Sequence, residues 1–158
     1  MTPVRLQKDK RIEILKGVNL FSECNKNELR RIASLTTEHI VKSGEVLATQ
    51  GEPGSQFFMV IEGSAVASRN GSKLATFGPG AFFGELALLD GGERTATVVA
   101  DSEMRVLVLT RREFQSLHSN SPSVAYKMLA ELGSRLRSAD EMIERASVTD
   151  RLGLFRSL

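Results

Sequence analysis

The sequence predicts an α+β fold: a jelly-roll-like antiparallel β-barrel flanked by N-terminal helices and one long C-terminal helix. Three observations carry this prediction. Ten glycines crowd into residues 44–92 and cut the chain into runs of strand length. Capping-box signals, Asn25-Lys26-Asn27-Glu28 and Thr110-Arg111-Arg112-Glu113, stand on either side of that region. After Ser121-Pro122, apolar residues recur at helical spacing for about six turns.

The first element is a short helix through Ile12 and Leu15 that ends near Gly17. The second starts at Asn25, whose side chain can accept from the backbone of the next turn while Glu28 reaches back. Leu29, Ile32, Ala33 and Leu35 follow at helical spacing and form its apolar face. Seven runs of strand length come next: His39–Val41, Val46–Thr49, Gln56–Ile61, Ala65–Arg69, Lys73–Phe77, Thr95–Ala100 and Met104–Leu109. Asn70-Gly71 joins two of them, and both residues tolerate the positive φ of a tight hairpin. Many short strands at even spacing point to a barrel or jelly roll.

Helix returns at Thr110 with Phe114 and Leu117, and again at Ser121-Pro122, proline being favoured at the first helical position. That last helix is expected to run to about Ala146. Its seam is Ala125, Leu129, Leu132, Leu136, Ala139, Ile143 and Ala146, in steps of four and three. The seam suits packing on the β-domain and pairing with a second copy of the chain equally well. The expected division is residues 1–36 as an N-terminal helical segment, 37–109 as the β-domain, 110–146 as the C-terminal helices and 147–158 as a tail.

Hydrophobic residues make up 41% of the chain and charged residues 25%, which reads as a soluble globular domain. A formal charge of +2 does not announce a nucleic-acid binder. Basic residues gather near both ends, as Lys8, Lys10, Arg11 and Lys16, then Arg135, Arg137, Arg145, Arg151 and Arg156, and read as solvated helix faces. The single Cys24 suits a reducing cytoplasm. Met1–Lys16 lacks the apolar core of a signal peptide, and no apolar run is long enough for a bilayer. A cytoplasmic protein without membrane contact is expected.

Catalytic classes find little support. His39 and His118 are the two histidines and fall in different kinds of element, so the His–carboxylate cluster of a cupin-type metalloenzyme is not formed. Gly78-Pro79-Gly80 with Gly84 is out of step for a dinucleotide loop and lacks a surrounding βαβ unit. No nucleophile–base pair has a recognisable setting. A non-enzymatic protein, without metal or cofactor, is expected.

The chemistry concentrates in Phe82-Phe83-Gly84-Glu85-Leu86-Ala87-Leu88-Leu89, the loop Asp90–Glu93, and Arg94-Thr95-Ala96-Thr97-Val98. Gly84 permits a tight turn, and a helical turn beginning near Glu85 would point unpaired N–H groups at an anion. Arg94 can hold phosphate oxygens through paired, charge-assisted hydrogen bonds. Glu85 can accept from a hydroxyl and, with Arg94 nearby, stays ionised. Leu86, Ala87 and Ala96 keep such a site tight and dry, which strengthens its polar contacts.

The string FGELALL, loop, RTATV resembles the phosphate-binding cassette of the cyclic-nucleotide-binding family, whose pattern is close to F-G-E-[LI]-A-L-L, a short loop, then R-[TSA]-A-T-V. The resemblance extends to the glycines Gly44, Gly51, Gly63 and Gly80 and covers about residues 18–145, in the style of a bacterial stand-alone member. It implies the family's β-roll and a regulatory domain that senses cAMP or cGMP. Glu85 would hold the ribose hydroxyl and Arg94 the cyclic phosphate, completed by Gly84, the backbone around Leu86 and Ala87, and the Thr95 hydroxyl beside Ala96. Val66, Ala67 and Leu74 would wall the sugar and base. On the long helix Arg135 would close over the base, with Leu132 or Leu136 as apolar alternatives. In some cGMP-selective relatives a threonine at the position of Thr95 bonds the guanine amino group, while bacterial-looking cassettes with Thr or Ser there accept cAMP; the balance favours cAMP.

Two positions depart from the family pattern. Glu93 stands where many members have proline and places a second carboxylate beside Arg94, and Ser55 stands where an aspartate is common. The alternative reading is a β-roll retained as a scaffold or dimerisation module without ligand. A catabolite-activator-type transcription factor would need a helix-turn-helix beyond the long helix, for which Ser147–Leu158 is too short. The expected output is movement of the long helix, read by an effector protein or domain or by a second copy.

Overall fold

The structure, a computed structural model, describes residues 1–5 and 7–151, with side chains through residue 146 apart from Leu6. Arg156 and the end of the expected tail lie outside the described residues. The architecture is α+β, as the sequence predicts: among the described residues, nine strands form two antiparallel sheets, with helices before and after the main run of strands.

Helix α1 (Lys8–Lys16) buries Ile12 and Leu15, and its end is closed by Gly17 N donating to Ile14 O and Val18 N to Leu15 O. After a 3-10 turn (Asn19–Phe21), α2 (Lys26–Leu35) starts with both halves of the expected capping box. The Asn25 side chain accepts from Glu28 N at 2.9 Å, and the Glu28 side chain accepts from Asn25 N at 3.0 Å.

The strands are β1 (Thr2–Val4), β2 (Thr37–Val41), β3 (Val46–Ala48), β4 (Gln56–Glu62), β5 (Ala65–Arg69), β6 (Ser72–Phe77), β7 (Phe82–Phe83), β8 (Thr97–Ala100) and β9 (Met104–Thr110). One sheet has the order β1-β2-β9-β4-β7 and the other β3-β8-β5-β6. Strands β4 and β9 are apolar almost throughout because both their faces are covered. Phe57, Met59, Leu107 and Leu109 pack on the helices, while Phe58, Val60, Val106 and Val108 pack between the sheets.

Two strands are absent from the sequence expectation. β1 pairs with β2 at the sheet edge, where the missing N–H of Pro3 is tolerated. β7 is only two residues long, too short to show alternation, and pairs Phe82 and Phe83 with Met59 and Phe58. The strand expected to begin at Thr95 begins at Thr97 instead. The chain before it is held by another segment: Gly51 N donates to Arg94 O and Arg94 N to Glu52 O, at 2.9 and 2.8 Å. The Asn70-Gly71 hairpin forms, with φ of 52° and 80°.

Helix α4 (Arg111–Asn120) begins with the Thr110–Glu113 capping box, and α5 (Pro122–Arg151) continues past Ala146. Only the start of the expected seam is covered. Val124, Ala125 and Met128 are buried and Leu132 is half-buried, whereas Leu136 and Ile143 are 64% and 65% exposed. A polar clasp ties this helix to α2: Lys127 Nζ lies 2.6 Å and Ser123 Oγ 2.9 Å from the Glu28 carboxylate.

Candidate functional site

Strand β7 leads into Gly84, at φ 84° and ψ 17°, and from there into the short helix α3 (Glu85–Leu89). That left-handed conformation admits glycine at little strain and most other residues only with strain. The loop after α3 is folded on itself, with Gly92 N on Asp90 Oδ1 at 2.8 Å. It is also fastened to the Gly51–Gly54 turn by Gly54 N to Gly92 O at 3.3 Å and by the Pro53–Glu93 bridge. These ties fix the position from which Arg94 departs.

The Arg94 guanidinium turns inward, into space that two glycines leave open. A Cβ on Gly54 would lie 2.1 Å from Arg94 Nε, and one on Gly84 would lie 2.8 Å from Nη1. Nη2 donates to the Gln56 main-chain oxygen at 2.9 Å, and the guanidinium carbon is 5.9 Å from the Phe58 ring centre. Nη1 is buried and has no hydrogen-bond partner among the described residues. Burial alone pulls the guanidinium pKa below its usual value. A half-buried cation with a buried, unpaired donor is costly until an anion meets it. Glu93 does not provide that anion: its side chain is exposed, and no ion pair joins it to Arg94 among the described residues.

Arg94 borders a cavity of about 210 Å³ between the cassette and the second sheet. Gly84, Glu85, Thr95, Ala96, Ala67 and Leu74 line it, so seven of the expected site residues, Arg94 included, meet in one place. Val66 does not join them. Neighbouring residues of a strand face opposite ways, so Val66 and Ala67 cannot share a wall. A register shift at Ala67/Ser68 lets Leu74 and Ala75 of β6 both reach the cavity. Leu86 and Ala87 also lie off the cavity. Leu86 is 53% exposed, and Ala87 is buried with its N–H on Gly84 O at 3.2 Å.

Arg135 lies beside the cavity rather than in its lining. Its Nη1 is 3.7 Å from Glu85 Oε1, and its guanidinium stands 4.5 Å over the Phe82 ring. Leu86, Leu89, Leu129, Leu132 and Leu136 join these two charged residues around a groove of about 480 Å³. Sequence reasoning missed Gly54, whose place opposite Arg94 depends on the folded loop, and Arg69, which lines the cavity. The signal for Arg69 was its spacing of two from Ala67 on the same strand face.

The sequence profile of the cyclic nucleotide-binding domain matches residues 38–121, just over half of the 158-residue chain. This chain belongs to the cyclic nucleotide-binding domain family. Among its relatives, a cyclic nucleotide-gated potassium channel of Mesorhizobium japonicum is 40% identical over 72% of this chain and 31% of the channel. The cyclic AMP receptor protein of Thermus thermophilus is 34% identical over 80% of this chain and 61% of that protein. The chain thus spans about a third of the channel's length and about three-fifths of the receptor's. In structure it resembles the N-terminal domain of a transcriptional regulator from Streptomyces coelicolor, with a TM-score of 0.73 and 29% identity, covering 81% of this chain and 95% of that domain. The fold of this family member is therefore the β-roll with its flanking helices. No helix among the described residues is long and apolar enough to cross a membrane. No cluster of three or more metal-ligating side chains occurs among them.

Proposed function

We propose that this chain is a cytoplasmic sensor domain that binds cAMP in preference to cGMP and signals through movement of α5. The observation that carries the reading is Arg94, a guanidinium held between two glycines, with a buried donor unfilled, on the wall of a cavity that also contains Glu85. A cyclic phosphate supplies the oxygen that Nη1 lacks, and charge-assisted pairing of this kind is among the stronger hydrogen bonds. Glu85 takes the ribose 2′-hydroxyl, and the apolar wall of Ala67, Leu74 and Ala75 accepts the sugar and base. The name of the Thermus relative supports cAMP over cGMP.

The Glu85–Arg135 contact supports the relay. Arg135 sits on the exposed half of α5, so a ligand hydroxyl that takes Glu85 releases Arg135 and changes the footing of the helix on the cassette. Coupling of this kind requires that ligand bind one helix position better than the other. The exposed Leu129, Leu136, Met142 and Ile143 give the output a surface for an effector or for a second copy of the chain.

Competition between cAMP and cGMP for the purified, nucleotide-free chain tests the preference. Displacement of a bound fluorescent analogue at lower cAMP than cGMP concentration is expected. The reverse order would overturn the preference, and displacement by neither would return the fold to a scaffold role.

A further inference from the structure

The cavity holds a second guanidinium that the ligand scheme above does not use. Arg69 ends β5 and lines the cavity with Leu74, Ala75, Glu85 and Thr95. Its Nε donates to the Thr95 main-chain oxygen at 2.8 Å, and its two Nη groups have no hydrogen-bond partner among the described residues. The hairpin that carries it is fastened in place. Asn70 N donates to Gln50 Oε1 at 3.0 Å, Gln50 Nε2 to Asn70 Oδ1 at 2.9 Å, and Gln50 N to Thr97 Oγ1 at 3.0 Å. An exposed guanidinium is thus held at the cavity mouth by one donor, with the rest of its fork open.

A guanidinium has donors and no acceptor, so the ligand atoms that face it must be acceptors. Within the proposed site, phosphate is met deeper in by Arg94 and the sugar hydroxyl by Glu85. What remains beside Arg69 is the apolar wall of Leu74 and Ala75, which suits a flat ring. The acceptors on a purine ring are its unprotonated nitrogens. We propose that Arg69 reads the purine, its free Nη groups donating to a ring nitrogen while the Thr95 carbonyl fixes the plane of the fork. This inference rests on the cavity being the cyclic nucleotide site.

The test compares cAMP with its 1-deaza, 3-deaza and 7-deaza analogues on the wild type and on Arg69→Leu. Each analogue replaces one ring nitrogen by C–H. The wild type is expected to bind one of the three about tenfold or more weaker than cAMP, the range for a hydrogen bond to a charged group. Arg69→Leu is expected to bind that analogue and cAMP alike. A wild type indifferent to all three analogues, or an Arg69→Leu variant with unchanged cAMP affinity, overturns the role of Arg69 and leaves the nucleotide site standing. So does a loss in the variant that is equal for cAMP and every analogue, which marks a structural effect. A wild type that binds neither cAMP nor cGMP overturns the site and the inference together.

Discussion

Arg135 of α5 places Nη1 3.7 Å from Oε1 of Glu85, the first residue of α3. The carboxylate proposed to hold the ribose is therefore already engaged by the helix proposed to move. With side chains 49% and 26% exposed, the pair contributes little to stability. In the proposed function its importance is that two groups compete for one carboxylate.

If Glu85 accepts from the ribose hydroxyl, removing either partner has the same effect. The wild type is expected to bind 2′-deoxy-cAMP about tenfold or more weaker than cAMP. In Glu85→Gln the two ligands should differ far less, a coupling that a double-mutant cycle isolates. An undiminished difference in the variant would show that Glu85 is not on the hydroxyl.

Movement of α5 can be followed by fluorescence, because the chain has no tryptophan. Leu136, 64% exposed and on the rim of the groove beside Glu85, is the position for a single reporter. Saturating cAMP is expected to shift the emission of Leu136→Trp, and Arg135→Ala in the same background is expected to reduce that shift. Emission that stays fixed at saturation contradicts the relay.

The glycine beside Arg94 makes a sharper probe than a change to the arginine. Gly54 is not in the left-handed region, so an alanine there adds no backbone strain, yet its Cβ would meet the guanidinium at 2.1 Å from Nε. Gly54→Ala is expected to lower cAMP affinity by about tenfold or more, the loss of one charge-assisted bond, with only a small change in Tm. Gly84→Ala adds the left-handed penalty of about 1–2 kcal/mol and should lower Tm as well. Full affinity in Gly54→Ala would show that the position of Arg94 is not fixed by this gap.

Glu28 gives a prediction in pH. Hydrogen bonds from Asn25 N and Lys127, with Ser123 adding to them, hold its carboxyl below the usual carboxylate range. A depressed folded pKa means stability that is fully present above the unfolded value of about 4.3 and is lost as pH falls through the folded value. Thermal unfolding should therefore show a gap between wild type and Glu28→Gln that is full at neutral pH and closes below about pH 4. A gap independent of pH would remove the clasp between α2 and α5 as its cause.

The fold was legible where local chemistry decides it. Asn25 and Glu28, Thr110 and Glu113, Asn70 and Gly71 announce caps and a hairpin whose geometry depends on a few neighbouring residues. The cavity was legible in its principal residues because Gly84, Glu85 and Arg94 lie in one short stretch. What was not legible depends on distant partners. Pro3 becomes a strand residue only because β2 offers it an edge, and Thr95 leaves the ladder because Gly51 and Glu52 claim its neighbour. Gly54 matters because a loop forty residues away sends a guanidinium over it. The seam of α5 was read as one surface, yet only its start packs, against α4 and the 3-10 turn, and burial ends near Leu132.

The most direct test of the account is a calorimetric titration of cAMP into the wild type and Arg94→Ala, side by side, with both chains folded and free of nucleotide. The account predicts micromolar or tighter binding by the wild type and no detectable binding by the variant, whose cavity has lost its half-buried cation. Tight binding retained by Arg94→Ala, or no binding by the wild type to either cyclic nucleotide, would contradict it.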